Sequence, residues 1–352
     1  MSSKTAHLIL QDGTVFTGES FGAIGEATGE IVFTTGVTGY LETLTDPNYY
    51  GQIIVQTFPL IGNYGVISAD LESCDVHANA YIVKHLCQEP SNFRSEGSLD
   101  FFLKQHGIVG LSGIDTRKLT KIIRNNGVMN GRITTSLPSD ADKQGAVDYR
   151  INNAVAAVSR DGFAANTSDG KHRIAVLDLG AKSSLYKALQ TRDCRTSSFT
   201  YNASADDILG VNPDGIVISG GPGNPADPAN APIVEQIKKL VASDKPILGI
   251  GLGHQLLAVA HGYTTEALPF GHRGSNQPVK DLAYNKGRVY MSAQNHGYTV
   301  VADSIKDKRV SFVNVNDGAC EGLDYGTSMS VQFNPCGEFA DTSFILDEFV
   351  KK

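Results

Sequence analysis

Two rhythms of apolar and polar positions divide the chain. Up to about residue 133, short apolar runs separated by turn residues predict strands. HLILQDGTVFTGESF reads as a hairpin turning at Asp12-Gly13, and GEIVFTTGV and GQIIVQTFPLIG read as further strands. One helix interrupts them, IDTRKLTKIIRNNG over 114–127. Its Leu119, Ile122 and Ile123 recur at helical spacing, with Thr116 the candidate N-cap and Gly127 the candidate C-cap. Residues 134–172 lose this regularity and read as a connecting segment with one short helix. The expected domain limits are 1–150 and 173–352, with 151–172 as linker.

From residue 173 the pattern changes to strand and helix in alternation. RIAVLDLG, DGIVISGGPGNP and KPILGI read as buried strands, and SSLYKALQTRD and NAPIVEQIKKLVASD as the helices between them. RVYMSAQNHGY and SMSVQFNP read as later strands, and DTSFILDEFVKK as a closing helix. Such alternation predicts an α/β, doubly wound domain with a mostly parallel sheet, preceded by a β-rich α/β domain. Sites in doubly wound sheets lie at the carboxyl ends of strands. The ends here are 220–224, 251–255, 294–298 and 334–336, so four loops should converge on one crevice.

One of these loops carries a recognisable turn. In GIGLGHQLLAVAHGY (249–263), glycines alternate at Gly249, Gly251 and Gly253 between a strand and a helix. That is the outline of a nucleophile elbow, a tight strand-to-helix turn that displays one side chain. The displayed position is Gly251, which has none. A dinucleotide reading of GIGLG fails for want of a third glycine in G-x-G-x-x-G, and no G-x-x-x-x-G-K-[ST] phosphate loop is present.

Composition narrows the choice. A net charge of −7 opposes nonspecific binding to nucleic acid or anionic membrane, so neither partner is expected. No apolar run approaches the ~20 residues that span a bilayer. The start, MSSKTAHLILQDG, lacks the basic and apolar regions of a signal peptide. The five cysteines are scattered, never in C-x-x-C, which points to a reducing, cytoplasmic setting without disulfides or zinc. His254 and His261, seven apart on one helix, do not have the i, i+4 spacing of shared metal ligands, so no metal site and no cofactor are expected.

Nearly the whole chain resembles the small, glutamine amidotransferase chain of carbamoyl-phosphate synthetase. In the first half the resemblance rests on VFTTGVTGYLETLTDPNYYGQIIVQTFPLIGNYG (32–65), SNFR (91–94) and GIDTRKLTKIIRNNGVMNGRI (113–133). In the second it rests on DLGAKSSL, SGGPGNP, GIGLGHQLLA, FGHRGSNQPV and AQNHGY. The resemblance implies a class I glutamine amidotransferase-like domain, in which a cysteine at the elbow attacks the glutamine amide. A histidine backed by a glutamate, in an H-P-E motif, activates that thiol. Carried over, the three positions are Gly251, Asn334 and Cys336, so all three catalytic side chains are absent.

The resemblance also implies a glutamine pocket. Gly221 and Gly223 would line it, and the Leu252 N–H would contribute to the oxyanion hole. Gln255, Asn295, Gly297 and Tyr298 would hold the amino-acid end, with Lys182 nearby. Asn48, from the first domain, falls where the family has a small residue facing this site. The same glycines and Gln255 also serve tight turns and helix capping, so glutamine binding stays open at this point. The segment after Pro335, CGEFADTSF, is shorter and more irregular than the family's loop.

Three functions compete. The first is a glutaminase-dead subunit supporting ammonia-dependent synthesis by a large, ATP-grasp chain or a fused synthetase domain, in pyrimidine or arginine biosynthesis. The second is a glutamine-hydrolysing subunit using unrecognised residues, for which Cys336, or water steered by His254 or His296, are the candidates. The third is a free-standing glutamine sensor or scaffold. The chain has no region large enough for an ATP-grasp fold and cannot make carbamoyl phosphate alone.

Overall fold

The Asp12-Gly13 turn folds β1 (Thr5–Leu10) back onto β2 (Val15–Gly22), setting Leu8 opposite Phe16 and Ile9 opposite Val15. In the computed structural model, described for all residues except 1–3, 141–146, 161–163, 166–168, 306–308 and 337–339, this hairpin opens the first of two compact units. The units are Met1–Ile151 and Asn152–Lys352.

The first unit is built on a closed barrel in the order β1-β2-β8-β6-β4-β3-β9, with β9 returning to β1. Its other strands are β3 (Ala27–Thr34), β4 (Gln52–Gln56), β6 (Ala80–Ile82), β8 (Val109–Ser112) and β9 (Met129–Thr134). β5 (Leu60–Ile61) and β7 (His85–Leu86) pair separately. Closure removes exposed sheet edges, and it follows from long-range pairing that the strand-by-strand pattern does not encode. The helices are α1 (Tyr40–Leu44), α2 (Leu99–Gln105) and α3 (Thr116–Asn126). The last is the expected amphipathic helix, but its N-cap is Asp115 rather than Thr116. The Asp115 carboxylate accepts from the Lys118 N–H at 2.9 Å, and Thr116 already lies inside the first turn. Gly127 closes α3 at φ 87°.

In the second unit five strands run parallel in the order β12-β11-β13-β14-β19. They are β11 (His172–Asp178), β12 (Cys194–Thr200), β13 (Gly215–Ile218), β14 (Ile247–Ile250) and β19 (Met329–Val331). A short β10 (Ala164–Ala165) pairs antiparallel with β12. At the other side the sheet continues antiparallel through β18 (Cys320–Asp324), β17 (Val310–Asn314), β15 (Thr265–Asp281) and β16 (Val289–Val300). The helices are α4 (Ala154–Val158), α5 (Ser183–Gln190), α6 (Ala205–Gly210), α7 (Ala231–Val241), α8 (Leu252–Ala260) and α9 (Phe344–Val350).

Both faces of this sheet are covered, as expected for continuous apolar strands. Ile216 and Ile218 pack with Ile233, Ile237 and Leu256 of α7 and α8. Val217, between them, packs on the opposite face with Leu185 and Leu189 of α5 and Leu346 and Phe349 of α9. Among the described residues no helix is long and apolar enough to cross a membrane, and all five cysteines are free.

Helix α8 meets the sheet backbone to backbone. A Cβ added at Gly253 would sit 2.2 Å from the Ile218 carbonyl oxygen and 2.7 Å from that of Ser219. One at Gly249 would sit 2.7 Å from the Gly253 carbonyl. Between them Gly251 takes φ 56°, ψ −114°, a conformation that L-residues rarely adopt, yet its added Cβ would meet only Gly220 Cα at 3.5 Å and Gln332 O at 3.9 Å. The two kinds of glycine separate in a denaturation experiment. Gly251→Ala should cost about 1–3 kcal/mol of backbone strain. Gly253→Ala must part helix from sheet and should cost more, roughly 3–5 kcal/mol. Equal midpoints for the two variants would show that packing does not set the turn.

Candidate active site

The elbow keeps its shape through the backbone. The Gly251 N–H donates to the Val331 carbonyl at 2.9 Å, joining the turn to the end of β19, and the Gly253 N–H donates to Ser219 O at 3.1 Å. Leu252, buried, opens α8, and Gln255 N–H closes its first bond on Gly251 O at 3.2 Å. The glycine-rich loop after β13 is equally tight. A Cβ at Gly221 would lie 2.3 Å from Leu179 O, and Gly223 takes φ 94°. Ser219 Oγ accepts from the Leu179 N–H at 2.9 Å, tying this loop to the one after β11. On that loop the Asp178 carboxylate accepts from the Gly180 and Ala181 N–H groups at 2.8 and 2.7 Å. Lys182 follows as the residue that caps α5, half-buried.

Gln255 joins the remaining loops. Its side-chain amide donates to Tyr298 O at 2.8 Å and to Gln332 Oε1 at 2.9 Å, bridging α8 to β16 and to the chain just past β19. Asn295 lies on β16 opposite Arg273 of β15, and an added Cβ at Gly297 would meet the Arg273 guanidinium at 3.2 Å. The Asn334 N–H donates to Ala293 O at 2.8 Å. Gly221, Gly251, Leu252, Gln255 and Tyr298 are thus linked by direct contacts or through one intervening residue, whereas Asn334 bonds to Ala293 and Cys336. Asn48 belongs to the first unit, in a 3-10 turn (Pro47–Tyr49), where its N–H donates to Asp46 Oδ1 at 2.9 Å.

The chemistry available at the elbow is limited. Gly251 supplies no nucleophile. Asn334 spends its side-chain oxygen on the Cys336 N–H at 3.1 Å, and an amide does not shuttle protons near neutral pH. Cys336 is buried in the apolar cluster that holds Phe333, Tyr290 and Ile345. Residues 337–339, within the irregular segment noted in the sequence, lie outside the described residues. His254 and His296 offer no base at the surface. His254 is fully buried, with Nδ1 2.7 Å from Ser330 Oγ, and burial pushes its imidazole down to about 3. His296 is buried too, and desolvation, followed by the charge of His272, holds it well below the ordinary imidazole range.

Sequence reading missed the polar layer beneath these loops. His272, Gln294, His296, Asn314 and Glu321 come from four different strands and are all buried. Burial alone would lower His272, but the hydrogen bond and charge of Glu321, with Asp317, raise it. Burial raises the Glu321 carboxyl against the pull of His272 and Asn314. No local spacing marks this cluster, because strand pairing alone assembles it. Ser219, Ser330 and Gln332 were missed for the same reason.

Residues 8–133 match the family model described as carbamoyl-phosphate synthase small chain, CPSase domain, and residues 175–347 match that for class-I glutamine amidotransferase. The carbamoyl phosphate synthase small chain of Clostridium perfringens is 46% identical over 98% of this chain and 99% of its own length. That of Bacillus caldolyticus is 44% identical over 97% and 95%, and that of Listeria monocytogenes 42% over 98% and 95%. The chain belongs to the carbamoyl-phosphate synthase small-chain family.

The buried histidines give a stability signature. His254 is neutral in the folded state down to about 3, whereas an unfolded imidazole takes its proton near ~6.5. Between those values the unfolded chain binds more protons, so its contribution to stability is complete above the upper value and is lost as pH falls toward the lower. His296 acts in the same direction and raised His272 opposes it. His254→Gln should therefore flatten the acid-side slope, measured from pH 7 to 4, by up to about 1.4 kcal/mol per pH unit. An unchanged slope would mean that His254 is protonated in the fold.

Proposed function

We propose that this small chain is glutaminase-dead and serves as the docking and supporting subunit of a carbamoyl-phosphate synthase whose large chain uses ammonia. One observation carries the reading. The elbow holds φ 56° with room for a side chain above it, yet the displayed residue is Gly251. Around it, the base and acid positions hold an amide and a thiol buried among apolar groups. Nucleophilic attack on an amide needs a nucleophile paired with a base, and loss of one member of such a unit costs about as much as loss of all.

The two rescue routes lack support in the geometry. Cys336 packs in an apolar cluster with Phe333, Tyr290 and Ile345, surroundings that disfavour its thiolate. Water steered by His254 or His296 would need an accessible imidazole, and both rings are buried and hydrogen-bonded. The pocket loops that would hold glutamine (Gly221, Gly223, Leu252, Gln255, Asn295, Gly297 and Tyr298) remain closely interlinked, which supports retained binding of the amino acid. Glutamine bound there would act by its differential affinity for two states of the complex, a coupling of about 1–3 kcal/mol.

The purified chain should release no ammonia from glutamine above a boiled control. Gly251→Cys should stay inactive, because a thiol with an ordinary value near ~8.5 and no base remains protonated at neutral pH. The triple change Gly251→Cys, Asn334→His, Cys336→Glu should exceed it. Equal activity in single and triple variants would mean that the base lies elsewhere. Mixed with a synthetase large chain, the protein should form a complex that makes carbamoyl phosphate from ammonium, bicarbonate and ATP. Glutamine-supported synthesis would overturn the glutaminase-dead reading. No complex at micromolar concentration would leave a free-standing glutamine sensor.

A further inference from the structure

Three buried electron-pair donors from three strands converge in the second unit. His272 of β15 and His296 of β16 are cross-strand partners whose rings meet edge to face at 4.9 Å, and Glu321 of β18 lies beside them. His272 Nδ1 is 3.3 Å from Glu321 Oε1, and one ligand atom from each of the three residues falls within 4.8 Å of the others. Two ligands bound tetrahedrally to zinc at about 2.0–2.1 Å stand roughly 3.3–3.4 Å apart, so the His272–Glu321 edge already has that length.

The outer partners orient both rings toward this point. His272 Nε2 is 2.8 Å from the Asp317 carboxylate, and His296 Nδ1 is 2.8 Å from the Tyr298 carbonyl. Both partners are acceptors, so those nitrogens hold a proton, and a cation at the centre would replace the His272 Nδ1 proton now shared with Glu321 and leave both inner nitrogens as lone pairs. A histidine ligand held by a carboxylate or a backbone carbonyl at its far nitrogen is the usual outer arrangement of metal sites.

Two acceptors at the centre lack a proton between them. His296 Nε2 faces Gln294 Oε1 at 2.9 Å. The amide orientation is set by Ser292, whose hydroxyl donates to Gln277 O at 2.8 Å and so accepts from Gln294 Nε2 at 3.1 Å. Glu321 Oε2, in a side chain with no exposure, makes no close hydrogen bond among the described residues, although the Gln294 amide leans on this carboxylate. An unsatisfied buried carboxylate oxygen and two opposed lone pairs are both costly in a low-dielectric interior.

We propose that His272 Nδ1, His296 Nε2 and a Glu321 carboxylate oxygen form a structural site for a zinc-class divalent cation, with Gln294 Oε1 as the adjacent fourth donor. The cation would pin β15, β16 and β18 together and, through His296, fix the Tyr298 carbonyl that also receives the Gln255 amide. Four protein donors close the coordination sphere, so the role is a staple and not a catalyst.

The test uses the whole chain, stripped with a chelator, with its thiols alkylated and its fold checked by circular dichroism. Zinc should rebind at one equivalent per chain, survive gel filtration and raise the melting temperature. Cobalt in its place should give the visible bands of a four-coordinate N/O site without thiolate charge transfer. Glu321→Gln and His296→Gln should each weaken binding at least tenfold, and Asp317→Asn, which only orients His272, about tenfold. A folded, stripped chain that retains no zinc at micromolar concentration overturns the site, and this result needs no variant to fold. Stoichiometric binding undiminished in both ligand variants overturns it as well.

Discussion

The close approach of helix α8 to the sheet at Gly253 governs the rest of the second unit. With no side chain there, the helix can start within contact of the Ile218 and Ser219 carbonyls, and the chain must reverse from strand to helix in the single residue Gly251. The positive φ at that residue follows from the reversal, and the Gly251–Val331 hydrogen bond secures it against β19. None of these interactions involves a nucleophile. The conformation at Gly251 is one that a glycine tolerates best and that would strain any L-residue.

That independence separates two kinds of preserved feature. Gly249, Gly253 and Gly221 are required wherever this backbone is packed this way, so their presence speaks for fold. Gln255 is different. A buried amide that bridges Tyr298 and Gln332 could be replaced by an apolar group of the same size, together with its partners, at little net cost. Its retention, with the polar layer beneath it, keeps the loops at a fixed spacing. At the elbow the groups present set distances: Gly251 offers no side chain, and Gln255 bridges Tyr298 and Gln332.

Much of this was legible in the sequence. The change of period near residue 173, the ends of β13 and β14 and the alternating glycines around Gly251 depend on local pattern, and the structure places them where the pattern puts them. The segment 294–298, read as a strand end, lies inside β16, and β19 stops at Val331, before 334–336, because pairing with distant strands sets those limits. Barrel closure in the first unit was not legible, because β9 returning to β1 is a pairing between distant segments. The same holds for the long β15–β16 extension, whose polar interior reads along the chain as ordinary alternation. His272, His296 and Glu321 share no spacing rule, and only the antiparallel register brings them together. The cap of α3 was misplaced by one residue since Asp115 and Thr116 are both good caps, and the backbone of Ile114–Asp115 decides between them.

The polar layer also bears on what a ligand at the elbow can do. A ligand bound without reaction acts only through the difference in binding energy between two arrangements, and packed interiors change between discrete arrangements rather than by continuous deformation. Gln255 reaches β16 at Tyr298, and His296 grips the same carbonyl from below, so one backbone oxygen receives both the site above and the buried cluster. A shift of that carbonyl would break two hydrogen bonds at once, one of them to the buried His296 where breakage is expensive. The geometry therefore favours a stiff floor. The elbow's own ties to the neighbouring strand ends are single backbone bonds, from Gly251 to Val331 and from Gly253 to Ser219.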